Sequence, residues 1–346
     1  MKSVLSSIYG GIVHLKNISY DQNFLDSYKL PVPVISIGNL SVGGTGKTPI
    51  TLTLAKELSK YYRRIAIVCR SYKTPLDRPL QVQLGAGPGL KPSGPGLYGD
   101  EAYFLAERVA GVVFSGPDKT DTARFAFESL RPDLILVDDG FQHRKLHRDL
   151  DFVLWDATET KYQLLPQGKL REGFESLERA HGLFLTKTNW VSEEKRQRLL
   201  ERFKGKLVCE VRFDLDSKSR FWQEAFGRPV AALSGIANNS SFHQLLEEKL
   251  GRPLDQSFAF PDHHTFTERD LQPAREFLVK HPDALLVCTE KDAVKLRAWI
   301  KVEPRIWSIP LTLEFDQALD TFLSMAAALK NKTNESIQGP VPAWPF

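Results

Sequence analysis

The chain has 346 residues, 42% hydrophobic and 25% charged, which excludes a largely disordered chain and suggests two domains. Its formal net charge of +4 is too small to point to nucleic acid, yet it suits contact with an anionic membrane surface. Three separated cysteines, Cys69, Cys209 and Cys288, offer neither a disulfide framework nor a zinc spacing, and fit a reducing compartment.

In chain order, the first predicted element is a helix over residues 1–20. Val4, Ile8 and Ile12 recur at four-residue spacing, with Leu5, Val13 and Leu15 beside them. Such a helix either lies on a membrane or packs against its own domain. No run of 18 apolar residues is present to span a bilayer, and the N-terminus lacks the apolar core of a secretory signal.

From residue 32, β-branched runs alternate with helical stretches. Val32–Ile37, Ile65–Cys69, Val112–Phe114, Leu134–Val137, Phe152–Trp155 and Leu183–Leu185 read as buried strands. This alternation predicts an α/β fold, a mostly parallel sheet with helices on both faces. Nine of the fifteen residues from Gly85 to Gly99 are Gly or Pro, which predicts a loop. Leu207–Phe213 reads as a connecting strand. Alternation resumes at Val230–Gly235, Ala284–Thr289 and Ile306–Ile309, as expected of a second, smaller Rossmann-like domain. The expected organisation is an α/β domain over 1–205, a linker over 206–227, a second α/β domain over 228–330 and a loose tail over 331–346.

Between the first strand and a helix lies the strongest motif, Gly43-Gly-Thr-Gly-Lys-Thr48. Glycines let backbone N–H groups turn toward phosphate, and the following helix N-terminus favours an anion. Ser41, Val42, Gly43, Gly44, Thr45, Gly46, Lys47 and Thr48 are therefore the candidate nucleotide-binding residues. Lys47 would span the β- and γ-phosphates, and the Thr48 hydroxyl would ligate Mg²⁺. Ser41 departs from the usual pattern, which has glycine there. The second half of such a site is an acid at a strand end, and Leu134–Asp138 followed by Asp139 supplies two. A plain Asp-Gly turn is the competing reading for that pair.

These residues resemble a known family. Gly38-Asn-Leu-Ser-Val-Gly-Gly-Thr-Gly-Lys-Thr-Pro49 is similar to the P-loop of the tetraacyldisaccharide 4′-kinases, the lipid A 4′-kinases of Gram-negative envelope biogenesis. That family also lacks the first glycine. Further matches follow in order: Gly99-Asp100-Glu101; Asp138-Asp-Gly-Phe-Gln-His143 with Leu146-x-Arg148-Asp149; and Gly168-x-Leu170-Arg171-Glu172. The second half adds Ser234-Gly-Ile-Ala-Asn238, Asp262-His263-His264-x-Phe266 and Thr289-Glu-Lys-Asp-Ala-Val-Lys-Leu296. The resemblance runs from about residue 5 to residue 326. Ser71 and Gly173 depart from it, where the family usually has glycine and proline.

The resemblance implies an ATP- and Mg²⁺-dependent kinase acting on the 4′-hydroxyl of a tetraacyldisaccharide 1-phosphate to give lipid IVA. It implies two P-loop/Rossmann-type domains with the active site in the cleft between them. It also implies peripheral contact with the cytoplasmic face of the inner membrane, with no obligate protein partner evident. Asp100 becomes the expected general base, and His263 its hydrogen-bonding partner, alongside Lys47 as catalytic residues. Thr48, Asp138, Asp139 and Glu172 become the expected metal site, with the direct carboxylate ligand left open.

His143 and His147 have the spacing of a metal pair, but Arg144, Lys145 and Arg148 between and beside them predict a basic face instead. Lys291 and Asp292 are expected to make structural or domain-closure contacts. Thr186-Lys-Thr-Asn189 partly matches the guanine motif N-K-x-D. Two other functions compete: a regulatory GTPase-like switch, and a kinase for a soluble sugar or cofactor precursor. Nucleotide preference and the need for acyl chains separate them from a lipid kinase.

Overall fold

The computed structural model of the chain describes residues 2–71, 74–84, 95–262 and 264–336. It divides into two compact units, Met1–Arg212 with Glu314–Phe346, and Phe213–Leu313. The divisions fall inside strands β8 (Val208–Leu215) and β13 (Leu311–Phe315), and the last part of the chain rejoins the first unit.

In chain order the first unit contributes β1 (Val34–Asn39), β2 (Ile65–Arg70), β3 (Leu80–Gln81), β4 (Val112–Gly116), β5 (Leu134–Asp138), β6 (Leu150–Asp156) and β7 (Gly182–Thr186). With β8 and β13 these make one nine-stranded sheet, ordered β13-β8-β7-β6-β1-β5-β2-β4-β3. The pairs from β4 across to β8 are parallel, and β3 runs antiparallel to β4. This is the mostly parallel sheet that the alternating pattern predicted, of the P-loop type that the glycine motif and the resemblance implied. Its inner strands are near-continuous apolar runs because both faces are covered. β1, β5 and β7 are buried at every residue.

Several elements of this unit escaped the pattern, the two-residue β3 among them. β13 alternates between half-buried and exposed positions, as an edge strand does, and is too short for its polar residues to read as a strand. Pro95–Tyr98 forms a helical turn within the Gly/Pro-rich stretch expected to be loop; proline is tolerated at the first helical position. Residues 85–94 of that stretch lie outside the described residues.

The C-terminal helix (Ala318–Ser336) runs on into the stretch read as a tail. Phe322, fully buried, centres 4.4 Å from Phe184 and 4.8 Å from Phe152. Gly182 makes room for it, since a Cβ there would lie 2.6 Å from the Phe322 ring. Tyr62 then donates its hydroxyl to the Ala326 carbonyl at 2.7 Å, and burial pushes that phenol's pKa up to about 12. Phe322→Ala is expected to cost about 3–5 kcal/mol, read as a lowered urea midpoint, because the ring fills a site with no room to collapse.

The second unit holds β9 (Val230–Ser234), β10 (Gln256–Ala259), β11 (Leu285–Cys288) and β12 (Ile306–Ser308) in a parallel sheet ordered β10-β9-β11-β12. Helices Asn239–Leu250 and Glu268–Lys280 are capped by the Asn238 side chain and by a Thr267/Asp270 capping box. Three of the sequence motifs meet in this unit. The Asp292 carboxylate accepts the Gly235 N–H at 2.9 Å and the Thr289 hydroxyl at 2.6 Å, and Lys295 donates to the His264 carbonyl at 3.0 Å. Asp292 is thus a clip between the ends of β9 and β11, the structural role expected of it.

Candidate active site

β1 sits at the middle of its sheet between β5 and β6, and both neighbours run parallel to it. The register pairs Ile37 with Asp138, so the acids that end β5 lie level with the end of β1, where the glycine turn begins. Asp139 N–H donates to the Ile37 carbonyl at 2.7 Å. This close approach explains Gly38, whose Cβ would meet Phe141 Cβ at 2.5 Å.

The turn is fastened before it reaches the helix. Ser41 bridges antiparallel to Leu170, and Val42 N–H donates to the Lys169 carbonyl at 2.8 Å. A side chain in place of glycine at 41 is accommodated because that residue is packed as a strand residue, only 2% exposed. Val42 was expected to serve the nucleotide, but its N–H is committed to Lys169. Asn39, buried at the end of β1, donates to the Thr45 hydroxyl at 3.0 Å, and Gln142 donates to the Asn39 carbonyl.

Gly46, left-handed at φ 94°, then starts the helix Lys47–Leu58 with no side chain capping it. The first N–H groups of a helix have no intrahelical acceptor, so this end is open to an anion. Pro49 in the first turn costs nothing, having no N–H to lose.

The two acids face different surroundings. Asp138 is 3% exposed, and its nearest donor is the Thr51 hydroxyl at 3.4 Å. Burial, reinforced by Glu101, raises its pKa to about 7 against the pull of Lys47 and Lys119. Asp139, left-handed at φ 54°, accepts from Arg171 through both oxygens at 2.9 and 2.8 Å and lies 3.7 Å from Lys47. Burial alone would raise its carboxyl, but Lys47, Lys119 and Arg171 hold it well below the usual carboxylate range. Lys119, itself buried, donates to the Asp139 carbonyl; burial lowers its pKa while Asp139 and Asp138 oppose the shift. Glu172, 2% exposed, is paired with Arg179 and Asn17, both at 2.8 Å. Among the described residues no three His, Cys, Asp or Glu side chains form a metal cage.

Asp100 begins the helix Asp100–Arg108, with Gly99 as its N-cap. His263 lies outside the described residues. The basic face expected around His143 and His147 does not form, because this segment is not helical and its charges are paired internally. Arg144 pairs with Asp21, Arg148 with Asp151, and His147 lies 3.7 Å from Asp149. Burial pushes the His143 pKa down to about 4, which keeps it neutral against the Thr120 hydroxyl.

The N-terminal helix (Lys2–Asp21) is seated by its polar side. Ser6 donates to the Leu164 carbonyl, Tyr9 to the Arg171 carbonyl and Asn17 to Glu172, all within 2.9 Å. Its apolar side chains Val4, Leu5, Ile8, Ile12 and Leu15 are left exposed. Among the described residues, no helix is long and apolar enough to cross a membrane.

Sequence reasoning found the turn, Lys47 and the paired acids. It assigned no role to Lys119, and none to Arg171 beyond its place in a motif. Both are cations whose function depends on partners distant in the chain.

A central parallel strand, a glycine turn with a lysine opening a helix, and a buried acid on the adjacent strand define a P-loop nucleotide-binding protein of α/β class. The tetraacyldisaccharide-1-P 4′-kinase family matches residues 2–328, and the chain belongs to that family. A tetraacyldisaccharide 4′-kinase from Bdellovibrio bacteriovorus is 38% identical over 318 residues, covering 89% of this chain and 92% of that protein. One from Aquifex aeolicus is 36% identical over 304 residues, covering 86% and 90%. A crystal structure of "apo" form LpxK from Aquifex aeolicus in complex with ATP superposes with TM-score 0.74 at 30% identity, covering 94% of this chain and 97% of that one. The chain is accordingly a kinase of lipid A biosynthesis, phosphorylating the 4′ position of the acylated disaccharide.

Proposed function

We propose that Gly43–Thr48 receive the phosphates of ATP, with Lys47 compensating charge on the β- and γ-phosphates as the terminal phosphoryl group leaves. The observation that carries this reading is the uncapped helix end at Gly46–Lys47, whose Lys47 ammonium lies 3.7 Å from Asp139, next in the chain to buried Asp138. Thr48 and Asp138 fit Mg²⁺ best. A buried carboxyl whose pKa is raised by desolvation has acceptor capacity that a cation would use. Asp139 and Glu172, already paired with Arg171 and Arg179, suit the ion's water shell rather than the ion. When bound, the ion neutralises charge on the transferring group.

The acceptor is the 4′-hydroxyl of the tetraacyldisaccharide 1-phosphate. Asp100 takes its proton, and His263 tunes Asp100, both by the family's motifs. The exposed apolar side of the N-terminal helix meets acyl chains or the bilayer, at the cytoplasmic face of the inner membrane. Ile8→Asp with Ile12→Asp is expected to abolish co-sedimentation with anionic phospholipid vesicles at an unchanged melting temperature. The two side chains are 56% and 62% exposed and hold nothing in place.

The deciding experiment incubates the protein with ATP, Mg²⁺ and acylated disaccharide 1-phosphate in detergent, and follows one added phosphate by mass spectrometry. Preference for GTP would favour a GTPase-like switch. Equal turnover of a deacylated sugar would favour a soluble substrate.

A further inference from the structure

The end of β7 approaches the glycine turn from the side opposite Asp139's strand, since β6 and β7 lie on one side of β1 and β5 on the other. Two consecutive residues there take two consecutive carbonyls of the turn. The Thr186 hydroxyl donates to the Thr45 carbonyl at 3.0 Å, and Lys187 Nζ donates to the Gly44 carbonyl at 2.9 Å. Lys187 is left-handed at φ 58°, a conformation that favours glycine, and its side chain is only 5% exposed. Its charge is balanced by Asp156 at the end of β6, and its ammonium lies 5.4 Å from the Trp190 ring centre.

A strained backbone and a buried cation are both unfavourable, and an ion pair tying β6 to β7 would require neither contact with the turn. The contact with Gly44 has a direct geometric effect. A peptide unit is planar and trans, so fixing its carbonyl on one side fixes its N–H on the other. Thr186 and Lys187 therefore set the planes that carry the Gly46 and Thr45 N–H groups. Thr45 N–H closes the tight turn on the Gly43 carbonyl, and Gly46 N–H opens the helix end. A cation on the Gly44 carbonyl also polarises the same peptide, strengthening its N–H as a donor.

We infer that Lys187 is a positioning residue of the phosphate loop, holding the Gly44 carbonyl outward so that the loop keeps its anion-binding shape. This gives the Thr186–Asn189 segment a role that its partial likeness to N-K-x-D does not. It acts on the loop's backbone rather than on a base. The inference rests on reading Gly43–Thr48 as the phosphate site.

The test measures binding of ADP and of adenosine to the full chain by calorimetry, with melting temperatures alongside. Lys187→Met keeps the length and loses the charge. It is expected to weaken ADP roughly 10–100-fold, the range for losing a charge-assisted hydrogen bond, and to leave adenosine within about twofold. Lys187→Arg should recover part of that loss. If Lys187→Met does not fold, Thr186→Val serves instead; it keeps the volume and removes the hydroxyl shared by the Thr45 and Trp155 carbonyls, and should weaken ADP at least about threefold.

ADP affinity within twofold of wild type in folded Lys187→Met overturns the inference. So does an equal loss for ADP and adenosine, or, where only Thr186→Val folds, unchanged ADP binding in that variant. Wild-type ADP binding that is indifferent to Lys47→Ala instead overturns the phosphate-loop reading, and this inference with it.

Discussion

Lys47→Ala is expected to lower phosphoryl transfer by at least about 10³-fold while leaving the fold intact. The size follows from removing a full positive charge from a place where negative charge moves during transfer, a larger loss than one neutral donor would cause. The intact fold follows from what remains around Asp139. Its carboxylate keeps both hydrogen bonds to Arg171, and Lys119 stays on its carbonyl, so no buried charge is abandoned. Steady-state turnover and a thermal melt on the same preparation check both halves. Wild-type-like turnover would remove Lys47 from the reaction.

Asp100→Asn is the second large effect. A general base contributes roughly 10²–10⁴-fold, so kcat should fall within that range while ATP binding stays nearly unchanged. His263→Ala should cost less, and the double variant should fall little below Asp100→Asn, as expected of residues acting as one unit. Asp100 stands in the first turn of its helix, where a negative charge is worth about 0.3–1 kcal/mol. A nearly normal kcat with a lowered melting temperature would therefore mean that Asp100 serves the helix alone.

The sequence made legible whatever is local. β1, the turn, its helix and the acids at the end of β5 are consecutive patterns of apolar run, glycine and charge, and they stand where they were expected. The cations around the acids were not legible, because Arg171, Lys119 and Lys187 look like ordinary surface charges until the sheet brings them to Asp139 and Gly44. His143 and His147 also misled. Their spacing suggested one helical face, while the segment is not helical: His143 meets Thr120 on another element, and His147 lies beside Asp149, two residues on. The N-terminal helix was legible as amphipathic but not in its orientation. Its hydrogen-bonding residues face the protein, and the apolar ones do not.

The seat of Phe322 bears on how the molecule is made. The aromatic that closes the core over β6 and β7 arrives more than a hundred residues after β8 begins, once the whole of Phe213–Leu313 has been synthesised. At about 5–20 residues per second, the nascent first unit waits on the order of 5–20 s with the faces of Phe152 and Phe184 uncovered. The second unit, contiguous in the chain, can finish first although it begins later. A released chain truncated before residue 318 should accordingly be protease-sensitive in the first unit and resistant in the second.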